Sequence, residues 1–117
     1  NVKFWGWRKL QTVYSNTDIV IITSPLNNFP YTALESHSFG KPVITCAKGD
    51  IRKIIKNHIN GYYCNDFSVV TFNKYLLKAI SNYDLLSKNS YENSKKFNLN
   101  NSCKKVLSFI KNWKQLS

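Results

Sequence analysis

The sequence predicts an α/β fold built on an open, mostly parallel sheet flanked by helices. Three observations predict it. Two apolar runs without alternation, Asp18–Thr23 and Val43–Cys46, have the composition of strands covered on both faces. Stretches with apolar residues at helical spacing lie between and after them. Turn residues, chiefly Asn16-Thr17, Gly40 and Asn60-Gly61, separate the two kinds at short intervals. The resulting order reads β-α-β-α-β-α-β-α-α-α.

Val2–Trp5 reads as a strand closed by Gly6. Residues 7–16 follow with Leu10, Val13 and Tyr14 at helical spacing, and Asn16-Thr17 turns the chain into Asp18–Thr23. The stretch from Ser24 to Pro42, SPLNNFPYTALESHSFGKP, is the centre of the reading. A polar loop enters a helix through Pro30, reaches the carboxylate of Glu35 one turn inside, and stops at Gly40. Pro30 presets a helical φ and lacks an amide hydrogen, which suits a first turn. Asn28 is positioned to cap that turn. Asp50 is read as the cap of a short helix carrying Ile51, Ile54 and Ile55. Tyr62-Tyr63-Cys64 is a further short strand. Asp66 or Ser68 caps a longer helix with Phe72, Leu76, Ala79 and Ile80 on one side. Asp84–Phe97 is helical but rich in Ser, Asn and Lys, and Asn98–Asn101 breaks it. The last helix, Ser102–Gln115, carries the stripe Val106, Phe109, Ile110 and Trp113.

Bulk properties bound the function. A chain of 117 residues is one domain or a piece of one, long enough to bury roughly two-thirds of its unfolded surface. A hydrophobic content of 43% with 15% aromatics excludes a disordered chain. With no methionine and Asn1 running straight into a strand-like segment, the chain reads as cut from something longer. The net charge of +11 fits nucleic acid, an anionic membrane surface, or a small anion such as a nucleotide diphosphate. The lysines are spread along several segments without a block of like charge, so a solvated basic face stands equally beside those readings. Cys46, Cys64 and Cys103 are odd in number and form no CxxC pair, and the first two sit in apolar runs, which points to a reducing compartment. No apolar run approaches the ~18 residues of a membrane span. His37 and His58 have no ligand partners at metal spacing, so no metal is expected. His37 reads as a packing residue.

Three loops leave the C-terminal ends of successive strands: Gly6-Trp7-Arg8, Ser24–Tyr31 and Cys46–Asp50. In an open parallel sheet such loops gather along one edge, where ligands lodge. Amides of the Pro30-led first turn, with the positive end of the helix dipole, favour a phosphate. Glu35 one turn deeper accepts from vicinal hydroxyls, as on a ribose. Together they describe a nucleotide site. Against this, proline-led helices are common and a Glu in the second turn usually faces water.

Residues 2 to about 80 resemble the C-terminal half of the nucleotide-sugar-binding domain of family 4-type retaining glycosyltransferases, enzymes with two Rossmann-like domains in the GT-B architecture. The matching words are VKFWGWR, TDIVIITS, NNFPYTALES, GKPVI and NGYYC, in the family's order and spacing. Ser24–Ile44 is the densest match. The resemblance implies a Rossmann-like open parallel sheet in an incomplete C-terminal GT-B domain spanning 1–117, with 83–117 a helical C-terminal extension. It implies a sugar transfer from a nucleotide-diphosphate donor to a saccharide or lipid-linked acceptor in surface polysaccharide or glycoconjugate synthesis, with no cofactor beyond the donor substrate. The expected location is cytoplasmic, with peripheral contact at the inner face of an anionic membrane.

In that family two glutamates separated by seven residues flank the donor. Glu35 matches the second, which holds the ribose; the first falls on Asn27, which offers hydrogen bonds but no charge. Asn28, Phe29, Pro30 and Tyr31 match the diphosphate-facing loop, and Gly6, Trp7 and Arg8 match the loop that lines the base. Lys53 stands where the family usually has Glu. The family's diphosphate-neutralising Arg and Lys, the first two strands of the domain and the acceptor-binding domain would lie upstream of residue 1. In the strand order 3-2-1-4-5-6 those strands would separate Val2–Trp5 from Asp18–Thr23, leaving a sheet edge open or repaired differently. The last helix usually packs back across the two domains; contact with anionic lipid is its second reading. A basic nucleic-acid-binding module and a non-catalytic glycosyltransferase relative are the alternatives for the whole chain.

Overall fold

The computed structural model describes residues 1–28 and 30–116, with side chains through residue 113. Its elements are α1 (Leu10–Ser15), β1 (Val20–Ile22), α2 (Tyr31–Ser38), β2 (Val43–Thr45), α3 (Ile51–Ile54), β3 (Gly61–Tyr63), α4 (Val69–Ser81), α5 (Tyr83–Ser94) and α6 (Leu99–Leu116), with a 3-10 turn over Lys95–Phe97. The three strands are parallel in the order β1-β2-β3. Val20 is level with Val43, and Val43 with Gly61.

The apolar runs divide by strand alternation into two cores. Val43 joins Ile22, Ala33, Ala47, Ile51, Ile54 and Ile55 under α2 and α3. Ile44 points the other way and joins Tyr62, Cys64, Ala79 and Leu86 under α4 and α5. Both faces of β2 are therefore dry, which is why its sequence shows no polar alternation. Gly61 brings β3 against β2 at a point where a Cβ would overlap the Val43 carbonyl.

The loop after α2 is held by its chemistry. Gly40 takes φ +66, its amide donates to the His37 carbonyl, and the Lys41 amide donates to the Ser36 carbonyl (2.9 Å each). This pair of bonds is the Schellman ending that glycine permits. Ser68 caps α4 by accepting from the Thr71 amide (3.1 Å), while Asp66 braces the turn by accepting from the Ser68 amide (2.8 Å).

Several expectations are corrected. Val2–Trp5 is not a strand; it is exposed and irregular, because among the described residues no neighbouring strand takes its amides and carbonyls. Among the described residues β1 pairs on one side only, with β2, so its other edge is open rather than repaired, and the strand is not covered on both faces, since Ile21 is 45% exposed. Asp50 precedes α3 without capping it, since its carboxylate pairs with Lys53 instead (2.8 Å). The third strand starts one residue early, at Gly61. The break before α6 shrinks to Asn98, whose side chain accepts from the Asn101 amide (2.8 Å) and starts the helix at Leu99 rather than Ser102. Ile80 is 58% exposed rather than inside, at the end of α4 beyond the sheet.

Residues 83–116 are helical, yet α5 is not peripheral. Leu86 and Ser90 are buried, and Ser90 Oγ donates to the Asn60 carbonyl (3.0 Å). Only α6 stands away. Its stripe of Val106, Phe109, Ile110 and Trp113 is exposed, with the Phe109 and Trp113 rings in edge contact (6.2 Å between centroids).

Candidate functional site

The site is built where β1 and β2 end. Their pairing continues past the strands as a bridge between Leu26 and Lys48. The Lys48 amide donates to the Pro25 carbonyl (3.0 Å), the Asn27 amide to the Lys48 carbonyl (2.9 Å), and the Ile51 amide to the Asn27 carbonyl (3.3 Å). Thr45 adds a buried clasp, donating to the Ile22 carbonyl (3.1 Å) and accepting from the Ala47 amide (3.0 Å). Two of the three loops expected to gather are thus laced together.

Gly49 makes the approach possible. It sits at φ +99, and a Cβ there would lie 2.6 Å from Asn28 Oδ1 and 2.9 Å from the Asn27 carbonyl oxygen. The Asn28 side chain faces this glycine, so it does not cap α2 as expected. Pro30 occupies the capping position and makes no side-chain capping bond. Pro30 is buried and its carbonyl accepts from the Leu34 amide (3.0 Å). Asn27 is half-buried, with its backbone committed to the lacing, and Tyr31 is exposed on the first turn. Phe29 lies outside the described residues.

Glu35 does not simply face water. It is half-buried one turn into α2, roughly 6 Å along the axis from Tyr31. The Tyr14 hydroxyl donates toward Glu35 Oε2 (3.4 Å) and toward the Thr32 carbonyl (3.3 Å). The Tyr14 ring is buried and stacks on Phe39 at 5.1 Å. Burial first, then the adjacent Glu35 charge and hydrogen bond, push the Tyr14 phenol up to about 12, so it is a donor throughout the physiological range.

His37, two residues on, is fully buried with Nε2 unpartnered; its Nδ1 lies 3.3 Å from the Asn93 side-chain nitrogen. Burial lowers its pKa to about 4, against a small opposing pull from the Asn60 backbone. It is a neutral packing residue joining α2 to α5, as expected.

The third loop is not brought in. Gly6 has nothing within 4 Å of a would-be Cβ, and Trp7 is 98% exposed. Arg8 makes its side-chain bond to the neighbouring Trp7 carbonyl (3.3 Å). Lys53 points to solvent in its pair with Asp50. Among the described residues no group of three His, Cys, Asp or Glu side chains could hold a metal.

Sequence reasoning missed two participants. Tyr14 was placed only as a helix apolar position, although a buried tyrosine hydroxyl ordinarily needs a partner. Gly49 was placed only in a tight connection; its signal was being the sole glycine between β2 and α3.

The arrangement offers a proline-led helix start, a loop fixed beside it, and a half-buried carboxylate one turn deeper with the Tyr14 phenol 3.4 Å away. That set can hold an anion and a pair of hydroxyls at once.

The sequence matches the glycosyl transferases group 1 family over residues 1–97. No curated protein matches the chain. Among solved structures it is similar to Anabaena HepE in complex with UDP, at 16% identity and a TM-score of 0.77 over 86% of this chain and 29% of that one. The HepE complex with UDP and glucose gives 18% identity and a TM-score of 0.83 over 94% and 32%. Sucrose-phosphate synthase from Thermosynechococcus elongatus gives 19% identity and a TM-score of 0.80 over 92% and 28%. The chain spans about three-tenths of the length of these proteins. At such identities the likeness is one of fold, and the fold shared is that of GT-B glycosyltransferases. The family match covers 97 of 117 residues, and on that ground the chain belongs to the glycosyl transferases group 1 family.

Proposed function

We propose that this chain is the donor-binding part of a retaining, family 4-type glycosyltransferase that moves a sugar from a nucleotide diphosphate to a saccharide or lipid-linked acceptor. The observation that carries the proposal is Glu35, half-buried one turn inside a proline-led helix. UDP in the HepE complexes supports it by fold likeness. The diphosphate lies against Asn28, Phe29, Pro30 and Tyr31, where amides and the helix dipole favour it by ~0.3–1 kcal/mol at an exposed site. Glu35 accepts the ribose hydroxyls, and Asn27 faces the donor sugar without adding charge. The base-lining role of Gly6, Trp7 and Arg8 rests on the resemblance alone. During transfer the sugar carbon becomes oxocarbenium-like as the diphosphate departs, and fixed amide dipoles stabilise the charge growing on it. The chemistry needs no metal from these residues and no cofactor besides the donor.

The cellular setting proposed is the cytoplasmic side of polysaccharide or glycoconjugate synthesis. Among the described residues no helix is long and apolar enough to cross a membrane. The α6 stripe, flanked by Lys104, Lys105 and Lys111, is assigned first to packing across the two domains of the full-length protein and second to anionic lipid.

Titration of the full-length protein with UDP and GDP tests the reading. One of the two binds, and Glu35→Ala weakens it about tenfold or more, in keeping with loss of hydrogen bonds to a charged acceptor. Affinity within twofold of wild type in Glu35→Ala, or nucleic-acid binding that falls steeply with salt and ignores Glu35, overturns it.

A further inference from the structure

We propose that Tyr14 is the positioning residue for Glu35, its phenol holding one carboxylate oxygen so that the other is presented to ligand hydroxyls. The proposal rests on the donor-site reading above and extends it to a residue 21 positions upstream on a different helix. Tyr14 is the buried residue of α1, so this short helix is seated by it. The ring is fixed on one side by the Phe39 stack (5.1 Å between centroids, 19° between planes). Its hydroxyl is thereby delivered to a point between the Thr32 carbonyl (3.3 Å) and Glu35 Oε2 (3.4 Å).

A phenol carries one proton, so these two acceptors share it. Both distances exceed the usual range of about 2.5–3.0 Å for O–H···O bonding, as catalytic and binding contacts often do before a ligand tightens them. A carboxylate on a helix surface samples several rotamers, and each hydroxyl it accepts must overcome that freedom. A rigid ring with two side-chain torsions, itself stacked, removes much of it before the ligand arrives. Tyr14 also remains a donor throughout the physiological range, since burial and the adjacent carboxylate keep the phenol protonated.

A structural role would need only the Phe39 stack and the Thr32 carbonyl. Tyr14→Phe keeps the ring and removes the hydroxyl, and the ligand can then be varied at the group Glu35 receives. In the full-length protein, UDP and GDP are titrated alongside their 2′,3′-dideoxy analogues into wild type, Tyr14→Phe, Glu35→Ala and the double variant. The expected result is three- to tenfold weaker binding of the preferred ribonucleotide by Tyr14→Phe, with the dideoxy analogue within twofold of wild type. Tyr14→Phe adds nothing further in the Glu35→Ala background, because the two act as one unit. Where Tyr14→Phe lowers the yield of folded protein, the ratio of the two affinities on the folded fraction carries the same test. A ratio equal to wild type while Glu35→Ala still weakens the ribonucleotide overturns the positioning role and leaves the donor site standing. Ribonucleotide affinity untouched by Glu35→Ala overturns the donor site, and the positioning role with it.

Discussion

Acidification between pH 6.5 and 4 should destabilise this protein through one side chain, His37. Its ring is fully buried between α2 and α5, with Nε2 unpartnered and Nδ1 beside the Asn93 amide. Both facts favour the neutral ring. Burial lowers its pKa from 6.5 to about 4 in the folded protein, while the unfolded chain keeps the ordinary value. The folded state thus binds the proton less readily than the unfolded one. The stability contributed is complete above pH 6.5, declines as pH falls toward 4, and changes no further below it. At 1.36 kcal/mol per tenfold in proton affinity, the full change is worth about 3 kcal/mol. Asp66, held below the usual carboxylate range by Ser68 and Thr71, adds its loss mainly below this window. Urea unfolding at pH 7.5, 6, 5 and 4 reads the effect as a falling midpoint at constant slope. The same series on His37→Gln should be flat over that range. A wild-type midpoint independent of pH, or an equal decline in His37→Gln, would refute the reasoning.

Gly49→Ala should cost about 1–3 kcal/mol, since it combines φ +99 with a Cβ 2.6 Å from Asn28 Oδ1; urea unfolding measures it, and a cost under 0.5 kcal/mol would contradict the lacing of the two loops. Ser68→Ala removes the α4 cap and should lower stability by about 0.5–2 kcal/mol. Hydrogen exchange should then quicken at the Thr71 amide before it does so in the sheet.

Much of this molecule was legible because its elements carry local chemistry. The β2 run lacks alternation since helices cover both its faces, whereas β1 has the same apolar composition although Ile21 is 45% exposed. Gly40 ends α2 by a left-handed turn that satisfies the Ser36 and His37 carbonyls. The segment at Val2–Trp5 misled because strand propensity is worthless without a partner edge, and that partner is not written in the segment itself. Asn98 was read as a break although its side chain starts α6; caps and breaks use the same residues. At the candidate site, the position of Glu35 one turn inside a proline-led helix is legible in the sequence. The part of Tyr14 is not, because its tie to Glu35 is made in space across 21 residues, and the helix pattern around it records burial alone. The failure of Gly6-Trp7-Arg8 to join the other loops has the same origin as that of Val2–Trp5, which was to have carried them there.

The most direct test is a crystal structure of the full-length protein with UDP or GDP bound. The diphosphate should lie against the first turn of α2, with the ribose hydroxyls within about 2.7–3.2 Å of the Glu35 carboxylate. A nucleotide seated elsewhere, or seated there with Glu35 turned away from the sugar ring, would contradict this placement.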